Sequence, residues 1–191
     1  MNYSTQDTSW TISAKGNHWR RLDGKVLVVG EYKDGDNYWA NPNRFENAEW
    51  LQNLANWSVA LTVTFTKQKY TGNYRFHSDI VYTTRHLIRL INRDCFGHGA
   101  VRKGYCIASA YVIECGYDGR HPHIHATLSL PPDRDYESLR RIILKQANKL
   151  HSIGRQIDIQ PYKDFGWFEY SLKTGIKNLV VEDIQKAHHL G

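Results

Sequence analysis

The chain is poor in the features that mark secreted, membrane-spanning or motor proteins. It has three cysteines in 191 residues, Cys95, Cys106 and Cys115, with no C-x-x-C pair and an odd count. That argues against a zinc module and a secreted disulfide framework, and implies reduced thiols. No apolar run approaches the roughly eighteen residues that a membrane span requires, and the opening MNYSTQDTSW lacks a basic n-region followed by an apolar stretch. The expected location is cytoplasmic, with no membrane partner. No G-x-x-x-x-G-K-[ST] phosphate loop occurs, so the chain carries no recognisable helicase motor. Repeats and low-complexity tracts are absent as well.

What is present suits one soluble globular domain. A hydrophobic share of 41 % and a charged share of 23 % can build a core, and the length suits a single unit better than two linked enzymatic domains. The net charge of +6 and a pI near 9.2 favour polyanionic partners such as nucleic acid.

Periodicity orders the elements. In the N-terminal part, KVLVVGEYK (25–33) reads as a possible strand and DGDNYWANPNRF as a turn-rich loop. NRFENAEWLQNLANW reads as a short amphipathic helix, with Phe45, Trp50, Leu54 and Trp57 at helical spacing. SVALTVTFT (58–66) alternates as a strand, with Thr62 and Thr64 on one face and Leu61, Val63 and Phe65 on the other. HSDIVYTTRHLIRLINRDCFG carries a helical stripe of Ile80, Leu87, Leu90 and Ile91 that ends before Gly97. GYCIASAYVIECG and HPHIHATLSLP, joined by GYDGR, read as a β-hairpin. DYESLRRIILKQANKLHSIG is a second helix, with Leu139, Ile142, Ile143 and Leu150 inward and Arg140, Arg141, Lys145 and Lys149 outward. RQIDIQPY is a last strand, and FGWFEYSLKTG a short helix stopped by Gly175. The order β-α-β-β-α-β plus an extra helix predicts an α+β fold: a central antiparallel sheet of about five strands, ferredoxin- or RRM-like, with helices on one face. Residues 1–57 are expected to form an N-terminal extension packed on a core spanning 58–191, in a single domain.

The chemistry concentrates on HPHIHATLSL. Alternation along a strand points His123 and His125 to the same side while Ile124 turns to the core, so two imidazoles can share one metal. A catalytic metal needs a further anchor and open positions for substrate oxygens. Glu114, on the partner strand of the hairpin, supplies the carboxylate. His121 has the same parity and competes for that role, but Pro122 marks the strand start and leaves His121 at the turn. An isolated H-x-H can equally decorate a solvent-facing strand.

HPHIHATLSL resembles the histidine-hydrophobe-histidine motif of the HUH endonucleases, specifically the single-tyrosine rolling-circle replication initiators. YSLK (170–173) resembles their Y-x-x-K motif and ALTVTF (60–65) their first motif, in the family's order and with an acidic residue on the strand before the histidines. The resemblance runs from Ser58 to Gly175 and leaves the N-terminal segment unmatched. It implies a tyrosine nucleophile at Tyr170 assisted by Lys173, a divalent cofactor, Mn²⁺ or Mg²⁺, and a 5′-phosphotyrosine intermediate with a free 3′-hydroxyl. The implied substrate is single-stranded DNA at an origin hairpin of a plasmid or phage, with strand unwinding left to a separate helicase.

Tyr170 and Lys173, three apart, share a helix face. A free phenol is only about 0.1 % ionised at neutral pH, a deficit of about 4 kcal/mol that nearby positive charge must reduce. Without the motif, Tyr170 would read as an aromatic anchor beside Trp167 and Phe168, and Tyr162 and Tyr136 are competing tyrosines. DNA contact is expected from Arg140, Arg141 and Lys145, with Tyr70, Tyr74 and Trp167 as stacking platforms. A transposase or mobilisation relaxase with the same chemistry, and a metal-free nucleic-acid-binding module, are the alternatives. The module's aromatic signature is missing, as is the second H-x-[ST] of a two-histidine phosphoesterase.

Overall fold

The structure, a computed structural model, describes residues 10–12, 18–21, 26–28, 44–66, 73–114, 122–173 and 179–188, without the side chains of 10–12, 18–21, 26–28, 44, 73–77 and 182. The turn GYDGR, His121, Tyr70, Gly175 and the side chain of Tyr74 lie outside that description. Of the possible strand 25–33, β3 (Val26–Val28) is described. It forms a small antiparallel sheet with β1 (Trp10–Ile12) and β2 (His18–Arg21).

The main sheet is α+β in the expected way and has four antiparallel strands: β4 (Trp57–Phe65), β5 (Ser109–Glu114), β6 (His123–Ser129) and β7 (Ile153–Pro161). Their lateral order is β5-β6-β4-β7, so the first and third strands of the β-α-β-β-α-β series lie at the centre. A fifth lane is supplied in part by residues 179–188, which form isolated antiparallel bridges to the outer side of β5 (Val112 with Leu179, Ser109 with Gln185) and continue to Cys106 with His188. This covers an edge that would otherwise present unpaired backbone groups.

Strand alternation builds two apolar layers. Val59, Leu61 and Val63 of β4, Tyr111 and Ile113 of β5, Ile124, Ala126 and Leu128 of β6, and Ile153 and Ile159 of β7 face α2 (Asn73–Arg102) and α3 (Tyr136–Ala147). The α2 stripe Ile80, Leu87, Leu90 and Ile91 is buried as its periodicity requires. Asp135 caps α3 by accepting from the Ser138 amide at 2.7 Å. The break expected at Gly97 is there, at φ 80° and ψ 162°, but helical residues resume beyond it to Arg102. A left-handed φ is what a glycine tolerates and other residues resist.

The opposite face is covered too, which corrects the expectation of helices on one side only. Ala108, Ala110 and Val112 pack with Ala48 and Leu51 of α1 (Arg44–Gln52) and with Phe168 and Leu172 in and just after α4 (Gly166–Ser171). Trp57 does not continue α1 but opens β4. Its indole N–H donates to the Leu51 carbonyl at 2.8 Å, and its ring packs edge-on against Phe168. An amphipathic tryptophan with a buried N–H partner serves strand and helix layer at once, so its helical spacing from Phe45 was coincidental. Among the described residues, no helix is long and apolar enough to cross a membrane.

Candidate metal centre and its tyrosine

The site lies on the α1/α4 face of the sheet. In the β5/β6 ladder Glu114 pairs with His123 and Val112 with His125, so alternation sends Glu114, His123 and His125 to one side while Ile113 and Ile124 enter the α2/α3 core. Glu114 Oε2 is 3.2 Å from His125 Nε2 and 3.4 Å from His123 Nε2. One ligand atom from each residue falls within 4.8 Å of the others, and this Glu114/His123/His125 group can hold a divalent metal ion. Two imidazole nitrogens and one carboxylate oxygen make a donor set that suits such an ion.

Electrostatics favour the ligand forms. Burial works to raise the Glu114 carboxyl, but hydrogen bonds from His123, His125 and Lys173 outweigh it and hold the group well below the usual carboxylate range. Burial, helped by His123 and Lys173, pushes the His125 pKa down and keeps its ring neutral, although Glu114 pulls the other way. Burial also opposes the charge on Lys173, yet its bonds to Tyr170 and Glu114 raise its pKa, so it stays an ammonium.

That ammonium joins the metal ligands to the tyrosine. Lys173 Nζ lies 3.0 Å from Glu114 Oε2 and 3.9 Å from the centroid of the Tyr170 ring. The helical turn α4 presents Tyr170 and Trp167 together, their rings 5.2 Å and 5.6 Å from that of His125. Tyr170 is 50 % exposed, and its ring packs in an edge-to-face manner with that of His125.

The rival tyrosines are placed differently. The Tyr162 hydroxyl bonds to the Gln52 side chain, and burial, with Asp164 adding, pushes its pKa up to about 12. Tyr136 donates to the Ile159 carbonyl at 3.0 Å from the α2/α3 side. Neither belongs to the group around His125. Tyr162→Phe is expected to leave any activity of the site intact and to cost about 1 kcal/mol, the worth of an ordinary hydrogen bond. A raised folded-state pKa means stability that is complete below the unfolded value near 10 and lost as pH climbs toward 12. Urea denaturation across that window should therefore show a shallower alkaline decline for the variant.

A cleft of about 820 Å³ opens beside the histidines, walled by Trp167 and Tyr170 on one side and by Arg155, Gln156 and Asp158 of β7 on the other. The β4/β7 register shifts here: Val63 pairs with Ile157 and Phe65 with Ile153, so Thr64 alone faces residues 154–156. A bulge of this kind re-aims side chains, and it brings Arg155 to the cleft. Gly154 is required at the bulge, since a Cβ there would stand 2.6 Å from Thr64 Oγ1.

The structure thus brings together Glu114, His123, His125, Tyr170, Lys173 and Trp167. It does not bring Arg140, Arg141 or Lys145 to them. These sit on α3, behind the opposite face of the sheet, where Arg140 pairs with Glu137 at 3.8 Å and Lys145 with Asp94 at 2.9 Å. The only sequence signal for Arg155 was a charge in a strand, which by itself points nowhere. Comparison of the chain with protein-family models, curated proteins and solved structures returns no significant match.

Proposed function

We propose that the protein is a metal-dependent, single-tyrosine nickase and joiner of single-stranded DNA of the HUH type, acting on an origin hairpin to initiate rolling-circle replication of a plasmid or phage. The observation that carries this reading is the clustering of a metal-competent triad, a half-exposed tyrosine and a lysine that touches both, beside a cleft that His123, His125 and Tyr170 line. A metal-free binding module has no use for a neutral His125 beside a second imidazole and a carboxylate that three donors keep ionised.

Mn²⁺ or Mg²⁺ is the proposed ion; held by Glu114, His123 and His125, it would polarise a phosphate oxygen and offset the charge that builds there. Tyr170 Oη attacks the phosphorus, the bond to the 3′ oxygen breaks, and on balance the phenol proton ends on the released 3′-hydroxyl. The product is a 5′-phosphotyrosine, which conserves the phosphodiester's energy and lets a later 3′-hydroxyl reverse the step without ATP. Lys173, fixed as a cation by Glu114 and Tyr170, puts a positive charge beside the phosphate that Tyr170 attacks. Trp167 offers a stacking surface and Arg155 a phosphate contact. Arg140, Arg141 and Lys145 would meet DNA only away from the cut. A separate helicase partner unwinds the duplex.

The direct test incubates the protein with single-stranded hairpin oligonucleotides and Mn²⁺ and looks on a denaturing gel for a covalent protein–DNA band. Absence of both adduct and nicked product across a broad pool of hairpins would refute the reading. A second outcome concerns the DNA path. Arg155→Ala is expected to weaken single-strand binding about fivefold and lower the salt slope of log Kd by about one. The double variant Arg140→Ala/Arg141→Ala should leave the nicking rate unchanged. Fluorescence anisotropy at several salt concentrations and the nicking rate, measured on both variants, separate the two, and the opposite pattern would move the DNA to the α3 surface.

A further inference from the structure

His125 is held from behind by a residue of the central strand. Thr62 Oγ1 lies 3.1 Å from His125 Nδ1, and the two are direct partners in the β4/β6 ladder. The pairing is selective. Thr64 has the same parity and faces His123 in the ladder, yet its hydroxyl donates to the Gln156 carbonyl at 3.0 Å.

A neutral imidazole carries one N–H, and the nitrogen that binds a metal must be the one without it. His125 Nε2 faces the Glu114 carboxylate at 3.2 Å, within the group of metal-competent atoms. In the metal-free chain that nitrogen donates to the carboxylate; an ion bound at Nε2 requires the proton on Nδ1 instead, where the Thr62 hydroxyl stands as its acceptor. Thr62 is well suited to stay put: its χ1 is stiff because it is β-branched, and its strand is laddered on both sides, to His125 on β6 and Asp158 on β7. The hydroxyl can accept from His125 and still donate its own proton to another acceptor.

We propose that Thr62 is a positioning residue of the metal centre: its hydroxyl accepts the Nδ1 proton of His125 and thereby fixes the tautomer and ring angle that offer Nε2 to the ion. This rests on the metal-binding role of the triad and not on the nickase chemistry. Partners of this kind behind a ligating histidine are worth about 10- to 100-fold in metal affinity.

The test is calorimetric titration of the full chain with Mn²⁺, without DNA. Wild type should bind one ion and His123→Ala should lose it. Thr62→Val should bind about 10- to 100-fold more weakly, and Thr62→Ser, which keeps the hydroxyl, should restore affinity to within about threefold of wild type. Wild-type affinity in Thr62→Val, or equal losses in Thr62→Ser and Thr62→Val, would overturn the role of the hydroxyl while leaving the centre standing. Failure of wild type to bind Mn²⁺ would overturn the centre and this proposal together. A readout on the unmutated protein needs no variant to fold: in the Zn²⁺-loaded chain, ¹H–¹⁵N spectra of the imidazoles should show the His125 proton on Nδ1, and a proton-free Nδ1 would refute the proposal.

Discussion

Replacing Tyr170 by Phe is expected to abolish the covalent adduct and lower nicking by at least about 10⁴-fold, the scale on which loss of a nucleophile acts in covalent catalysis. The change removes one oxygen from a side chain that is half exposed, so the ring can keep its edge-on packing against His125 and its contact with Lys173. Folding and DNA binding should therefore survive, and a denaturing gel reports the chemistry alone. An undiminished adduct in Tyr170→Phe would dismiss this residue as the nucleophile. Tyr162→Phe is the matched control, since its hydroxyl is engaged with Gln52 outside the cleft.

His123→Ala should be nearly as damaging. A catalytic divalent ion supplies several kcal/mol of transition-state stabilisation, so on the proposed function cleavage should fall by at least about 10³-fold, and chelation of wild type should do the same. His123 is the better choice of ligand to remove, because His125 is 4 % exposed and wedged among Thr62, Trp167 and Tyr170, where truncation would leave a cavity. Single-strand binding should persist, since the proposed DNA contacts, Arg155 and Trp167, remain. Manganese-dependent cleavage at the wild-type rate in His123→Ala would contradict the ligand assignment. Glu114→Gln extends the test. It should weaken metal binding and also release Lys173 from its partner, coupling loss of the ion to a weaker hold on the ammonium beside Tyr170.

Lys173 shows why triad and tyrosine belong to one argument. A lysine near the end of a short helix is usually a solvated charge, and the spacing to Tyr170 says only that the two share a face. Here a single ammonium contacts both the carboxylate of the triad and the aromatic face of the tyrosine. Removing it should disturb both the triad and the tyrosine, more than loss of a surface ion pair would.

Much of the fold was legible because alternation and helical periodicity are local. The parity of His123, Ile124 and His125 required opposite faces, and the hairpin opposed Glu114 to them, so the ligand triad followed from spacing and strand pairing. The α2 stripe and Leu139, Ile142 and Ile143 of α3 were equally readable, since each needs only its own residues, whereas Leu150, read as part of the same helix, lies beyond its end at Ala147. Local pattern failed where a residue answered to a distant partner. Trp57 matched a helical stripe but was claimed by β4 and by the Leu51 carbonyl. Arg140, Arg141 and Lys145 formed a basic face, but which side of the sheet α3 covers is a matter of topology. Arg155 was invisible as a cleft residue because the bulge that aims it depends on the register between two strands nearly a hundred residues apart.

The sequence by itself determined which side chains share a face of a strand or helix, because backbone geometry sets those periods within a few residues. Only the tertiary structure decided that α4 lies on the histidine side of the sheet, that Tyr170 rather than Tyr162 or Tyr136 meets His125, and that Thr62 stands behind that ring. These are distances between segments far apart in the chain, and packing, not periodicity, sets them.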